Sequence, residues 1–198
     1  MIREIARRIF RGLFFPLPRG MEAGAGVQIH HPHRISNAQR ISVGDRTVIG
    51  AQALITPILQ YASVAYSPTI IIGSDVYLGP HLYMACVGRM TIGNGSVLSE
   101  HVYLNDAGHG FDPEAGLIMD QPLVCHGDIT IGSNCFLGLR SAIMPGVTLG
   151  DHCVVGVNSV VTKSFPAYSM IAGAPAVLVK RYSLEQKVWI RVRTESAM

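Results

Sequence analysis

In the stretch "NDAGHGFDP", residues 105–113, one histidine stands among small and acidic neighbours. An imidazole exchanges its proton near neutral pH, with an unperturbed pKa of about 6.5, so His109 is a candidate general base. Asn105 and Asp106 lie just before it and offer an amide and a carboxylate to the same locality. Two further histidines, His81 and His101, each follow an aliphatic residue by three positions, after Leu78 and Leu98. Histidines held together are common zinc ligands, so this pair raises a metal site as one reading. The four cysteines, Cys86, Cys125, Cys135 and Cys153, form no C-x-x-C pair. Without an export signal they are expected as free, buried thiols rather than disulfides.

These residues are carried by a regular pattern. Ile131, Leu137, Ile143, Leu149, Val155 and Val161 are spaced by six without exception. Upstream the frame returns in blocks: Ile29, Ile35 and Ile41; Val43, Ile49 and Ile55; Ile72, Leu78 and Met84; Ile92, Leu98 and Leu104. Glycine follows many of these aliphatics, as at Gly44, Gly79, Gly132 and Gly150. Four residues after them stand small or β-branched side chains: Thr47, Val76, Ser96, Cys135, Ser141, Val147, Cys153 and Ser159. A period of six is neither helical nor that of a plain strand; it fits a short strand plus a corner. The 18 residues from Ile131 to Leu149 then make one turn of a three-sided prism, a parallel β-helix. Asn134, Gly146 and Asn158 suit its corners because they tolerate positive φ. Cys135 and Cys153 should stack inside adjacent coils. His81 and His101 should stack on one face, with Arg140 at the equivalent position of the next coil, which argues against a bound cation.

The beat stops between Leu104 and Ile131, a step of 27 residues. A prism has flat faces and no cleft, so a projecting loop over 105–128 would supply the wall of a site. His109 lies at its start.

The chain is 48% hydrophobic and 15% charged, which excludes a disordered polymer. No uninterrupted apolar run reaches the length of a membrane span. A net charge of +3 and few aromatics give no nucleic-acid stripe. Near the start, Ile2, Ile5, Ile9 and Leu13 recur at helical spacing, with Arg3, Arg7 and Arg11 on another face, until Pro16 and Pro18. The arginines interrupt any continuous apolar run, so a cleaved signal peptide is not expected. The segment reads as an amphipathic helix, either a cap on the core or a membrane-surface contact. Three parts are expected: an N-terminal segment 1–20, a β-helix 21–181 carrying the loop, and a C-terminal tail 182–198.

Residues 129–180, "ITIGSNCFLGLRSAIMPGVTLGDHCVVGVNSVVTKSFPAYSMIAGAPAVLVK", resemble the hexapeptide-repeat acetyltransferases. The most specific part is "SVVTKSFPAYSMIAGAPA". Galactoside, maltose and xenobiotic acetyltransferases and the O-acetyltransferases of bacterial surface polysaccharides share this layout. The resemblance implies an all-β fold, a left-handed parallel β-helix, assembled as a homotrimer and using acetyl-CoA without a metal. His109 falls on the family's catalytic histidine. On the same basis Asn105, Asp106, His81 and Tyr83 are expected at the acceptor, Asp106 touching it or orienting the imidazole. Leu139 and Val157, through their backbones, and Thr162, Lys163 and Lys180 fall on coenzyme positions. Gly79 stands where galactoside acetyltransferases carry a substrate-binding asparagine, a departure from a simple galactoside acceptor. The expected function is cytoplasmic O-acetylation of a saccharide hydroxyl in surface-glycan biosynthesis, at most peripheral to the membrane. The alternatives are N-acetylation of an amino-sugar, xenobiotic acetylation, a metal-dependent lyase of the carbonic anhydrase type, and a non-catalytic scaffold.

Overall fold

A computed structural model describes residues 17–192; the amphipathic segment at 1–16 lies outside them. The chain coils into a left-handed parallel β-helix with three faces. Face A stacks Glu22–Ala23, Ile41–Val43, Thr69–Ile72, Arg89–Ile92, Ile129–Ile131 and Thr148–Leu149. Face B stacks Gln28–Ile29, Val48–Ile49, Tyr77–Leu78, Val97–Leu98, Phe136–Leu137 and Val154–Val155. Face C stacks Arg34–Ile35, Leu54–Pro57, Tyr83–Cys86, Tyr103–Asn105, Ala142–Ile143 and Val160–Val161.

The six-residue aliphatics are the inward residues of these strands. On face B, Ile29, Ile49, Leu78, Leu98, Leu137, Val155 and Ile171 form one fully buried column. Backbone hydrogen bonds climb beside it, as from Gly50 N to Leu78 O (2.7 Å), Gly79 N to Leu98 O (2.8 Å) and Ser99 N to Leu137 O (2.9 Å). Glycine after the aliphatic lets coils approach: a Cβ on Gly79 would lie 2.6 Å from the Ser99 carbonyl carbon. Gly79 thus packs backbone on backbone.

The corner between faces A and B is held by a ladder of small polar side chains. Thr47 Oγ1 donates to Gly73 O (2.7 Å), Ser96 Oγ to Gly132 O (2.8 Å), Cys135 Sγ to Gly150 O (3.2 Å) and Cys153 Sγ to Pro166 O (3.3 Å). Buried hydroxyls and thiols thereby find a carbonyl in the next coil. Asn134, Gly146 and Asn158 turn corners with positive φ, and so do Arg46, Asp75, His81, His101, Arg140 and His152. The last coil leads into Ser169–Gly173, which extends face B, and two antiparallel strands follow, Ala176–Ser183 and Val188–Arg191. The segment from 182 therefore begins within a strand.

Cys86, Cys135 and Cys153 are buried and free, but Cys125 is exposed at the end of the strand Leu123–Cys125. This corrects the expectation of four buried thiols: Cys125 belongs to the projecting loop, not to the inward columns. The Cys135 thiol is held above its ordinary pKa by hydrogen bonding with Cys153 and by burial. That of Cys86 is raised by burial and by the neighbouring Asp106 carboxylate. A thiol reagent applied to native protein should give one fast phase, abolished by Cys125→Ser, with the other three cysteines labelled only on unfolding. A fast phase surviving that substitution would show that an inward column is open.

Candidate active site

His109 ends a short strand, Ala107–His109, that leaves the prism and pairs antiparallel with Leu123–Cys125. The interruption is therefore an excursion zipped at its base. Its tip is organised by Gln121, whose Nε2 donates to Asp112 O (2.9 Å) and Gly116 O (3.2 Å) and whose Oε1 accepts from Asp112 N (3.0 Å).

A second excursion, unforeseen from the sequence, leaves face C two coils earlier, after Leu54–Pro57. Gln60–Tyr61 and Val64–Ala65 form a small hairpin. Tyr61 Oη donates to Met119 O (2.8 Å) and Tyr66 Oη to Leu123 O (2.9 Å), so the two excursions are latched together. The available signal was the 17-residue step from Ile55 to Ile72, too long for the hexad count.

Between them lies a cavity of about 250 Å³, lined by Ile58, Tyr61, Tyr83, Asn105, His109 and Leu123 among others. The His109 ring meets the Tyr61 ring edge-on, with centroids 5.0 Å apart. Its Nδ1 is buried and has no hydrogen-bond partner among the described residues. Tyr83 stacks on Tyr103, centroids 4.9 Å apart, and burial with its neighbour Tyr103 raises the Tyr83 phenol pKa. Asn105 Nδ2 donates to Tyr103 Oη (3.0 Å), and its Oδ1 accepts from Ala107 N (3.2 Å). The structure thus gathers His109, Asn105 and Tyr83 around one space. Chemically, the arrangement offers an imidazole with unsatisfied bonding capacity beside aromatic walls, suited to taking a proton from a hydroxyl placed there.

Asp106 departs from expectation. It is fully buried, with Oδ1 accepting from Val87 N (2.9 Å) and Oδ2 from Gly88 N (2.9 Å) and the Cys86 thiol (3.2 Å). Side chains alternate along an extended strand, so the residue after Asn105 points inward while Asn105 points out. Its carboxylate neither orients the imidazole nor lines the cavity; it holds the turn beneath the excursion.

His81 also lies outside the cavity lining. It turns an exposed corner and stacks on His101 with centroids 4.4 Å apart and planes 3° from parallel. Among the described residues no group of three or more histidine, cysteine or acidic side chains is placed to hold a metal. The expected coenzyme positions lie toward the C-terminal end. Leu139 and Val157 occupy successive corners between faces B and C, joined by Asn158 N donating to Leu139 O (2.9 Å). Thr162 and Lys163 follow Val160–Val161 at the far edge of face C, where Lys163 Nζ lies 5.7 Å from the Phe165 ring centroid. Lys180 stands on the returning strand, opposite Met170 and Arg191. On face C, Val160 is two coils from Tyr103, or about 10 Å at the usual strand spacing.

Comparison with known proteins places this geometry. Residues 128–163 match the family described as hexapeptide repeat of succinyl-transferase. The chain is 32% identical over 132 residues to the putative lipopolysaccharide biosynthesis O-acetyl transferase WbbJ of Escherichia coli, covering 63% of this chain and 67% of that one. It is 33% identical to the putative colanic acid biosynthesis acetyltransferase WcaF of Escherichia coli, covering 67% and 68%. Among solved structures, AntD, an N-acyltransferase from Bacillus cereus in complex with dTDP-4-amino-4,6-dideoxyglucose and coenzyme A, superposes with a TM-score of 0.68 at 18% identity. The superposition covers 91% of this chain and 90% of AntD.

The buried carboxylate generates a test. Asp106→Ala leaves one buried and one half-buried N–H group without an acceptor, so it should lower unfolding free energy by about 2–5 kcal/mol in chemical denaturation. His109→Ala should change it by less than about 1 kcal/mol, since the His109 ring makes no hydrogen bond among the described residues. Equal, small effects of both substitutions would contradict the role given to Asp106.

Proposed function

This chain belongs to the hexapeptide-repeat acetyltransferases, and we propose that it transfers the acetyl group of acetyl-CoA to a saccharide hydroxyl in surface-glycan biosynthesis. The observation that carries the reading is the His109 imidazole, its Nδ1 unpartnered among the described residues, in a tyrosine-walled cavity on face C. It sits about two coils from the coenzyme positions. His109 removes the proton of the acceptor hydroxyl, and the resulting alkoxide attacks the thioester carbonyl. The tetrahedral intermediate collapses with release of the CoA thiolate, which takes up a proton. Asn105 and Tyr83 contact the acceptor. Leu139, Val157, Thr162 and Lys163 hold the coenzyme, the lysine as a charge-assisted donor to phosphate. Residues 21–181 form the catalytic solenoid in this reading, working in the cytoplasm where acetyl-CoA is made. The relatives named for lipopolysaccharide and colanic acid synthesis support the saccharide class.

Assembly as a trimer has its own support in the outward residues. Face A presents Ser42, Ile71, Thr91, Thr130 and Thr148, largely hydroxyls. Face B presents Val48, Tyr77, Val97, Phe136, Val154 and Met170, with Tyr77 41% and Phe136 44% exposed. Face C presents Leu54, Tyr83, Tyr103, Ala142 and Val160. A closed head-to-tail ring requires two different sticky surfaces and leaves the third to solvent. Face B of one subunit against face C of the next meets that requirement and closes the His109 cavity with a neighbour.

Two experiments test the reading. With acetyl-CoA and a panel of sugars, nucleotide sugars and amino-sugars, His109→Ala should lower kcat at least about 100-fold with coenzyme affinity nearly unchanged. Lys163→Ala should mainly raise KM for acetyl-CoA. Near-normal turnover by His109→Ala would overturn the mechanism, and turnover of amines alone would move the activity to N-acetylation. Separately, Phe136→Asp should convert the trimer to monomers in light scattering and abolish turnover. A fully active monomeric wild type would refute the assembly.

A further inference from the structure

The three most exposed large apolar side chains among the described residues, Phe111 (75%), Leu117 (73%) and Met119 (68%), all stand at the tip of the larger excursion. Ile118 lies between the last two and is 55% exposed. The tip is folded rather than loose, because the buried Gln121 side chain ties Asp112 to Gly116. Its apolar side chains are therefore held outward. Among them stand Asp112, Glu114 and Asp120, all exposed and none in an ion pair among the described residues. From 105 to 128 the sequence contains no lysine or arginine. An apolar patch set among carboxylates calls for an apolar partner that carries positive charge.

The chain itself contains such a partner. Residues 1–16 place Ile2, Ile5, Ile9 and Leu13 at helical spacing, with Arg3, Arg7, Arg8 and Arg11 against one acid, Glu4. An apolar stripe of this kind requires a surface to cover it. The described chain begins beneath the corner between faces C and A. A Cβ on Gly20 would lie 3.3 Å from Gln39 Cβ, and Gln39 belongs to Ala38–Arg40, the turn that joins face C to face A. Above that turn, Asn37 Nδ2 donates to Pro57 O (2.7 Å), and from there the small hairpin leaves. The larger excursion departs from the same corner, and Tyr61 brings Met119 down to the level of the hairpin. Entry point and tip thus share one corner and differ in height by about two coil spacings, roughly 10 Å. A helix over residues 1–16 would span about 24 Å, enough to cross that interval. The corner borders face A, the face left to solvent in the proposed ring.

We infer that the tip of the larger excursion is the docking surface for residues 1–16 of the same chain. The stripe from Ile2 to Leu13 covers Phe111, Leu117, Ile118 and Met119, and the arginines meet Asp112, Glu114 and Asp120. The docked segment braces from outside the wall that carries His109. The inference does not depend on the catalytic reading, because its test reads contact and not turnover.

Full-length protein carrying Cys125→Ser, Ala6→Cys and Leu117→Cys is treated with a short bismaleimide, and the products are mapped by mass spectrometry. A control carries Ser42→Cys in place of Leu117→Cys; Ser42 faces outward on face A, one coil above Glu22. The cross-link from position 6 to position 117 should form at least about tenfold faster than that to position 42, and about 0.5 M sodium chloride should slow it severalfold. In a mixture of isotopically light and heavy protein, the linked peptides should be purely light or purely heavy. A second measurement leaves the tip unsubstituted: Arg7→Glu with Arg11→Glu should speed amide exchange at 111–120 at least about fivefold and leave the prism strands unchanged. Equal cross-linking to positions 117 and 42, or unchanged exchange at the tip of the charge-reversed protein, overturns the inference. Mixed light–heavy products overturn docking within one chain and assign the patch to the segment of another copy. Binding of the protein to anionic vesicles with no cross-link to position 117 in their absence overturns it as well, and assigns the segment to a lipid surface.

Discussion

The structure depends on one constraint: each coil must return to the same place above the last, so that its backbone hydrogen bonds and inward side chains meet their equivalents. The unbroken column from Ile29 to Ile171 exists only because successive coils agree in register. Close approach demands glycine where backbone meets backbone, as at Gly79. Fixed coil length demands sharp corners, which is why side chains as large as His81, Arg140 and His152 adopt positive φ there. The compensation is that every additional coil hydrogen-bonds fully to its predecessor and buries its aliphatics against it.

That regularity leaves no concave surface, and the chain creates one by leaving the prism twice from the same face. Both departures are braced from beneath or across. Asp106 fixes the turn at Val87 and Gly88 under the larger excursion, and Tyr61 and Tyr66 tie the smaller one to it. His109 is thereby presented by a strand rather than by a free loop, with its position set by pairing to Leu123. A rigid support of this kind suits the general-base role proposed for His109, because reactivity falls steeply with small errors in placement.

Much of this was legible in the residues. The hexad aliphatics gave the coil length and the inward columns, and the small residues four positions later were correctly placed inside the corner, Cys135 and Cys153 included. The long break after Leu104 marked the excursion that carries His109. Three things were not legible, each because the deciding contact is remote in sequence. The hairpin at Gln60–Ala65 hides in an interval that resembles a counting slip, and Tyr61 acquires meaning only beside Met119. Asp106 reads as a site acid because it stands just before His109, yet strand alternation turns it inward. Cys125 belongs to a segment off the hexad grid, where the period predicts nothing.

The latch between Tyr61 and Met119 joins residues 58 apart in the chain, whereas adjacent coils of face B meet over separations of about twenty to forty. A nascent chain can therefore stack its early coils, bury their aliphatics and resemble a finished solenoid while its cavity has only one wall. The second wall docks only after the chain has passed Leu123 and returned to the prism at Ile129–Ile131. On the proposed reading, the cavity that holds the acceptor is therefore complete only once most of the solenoid has been made.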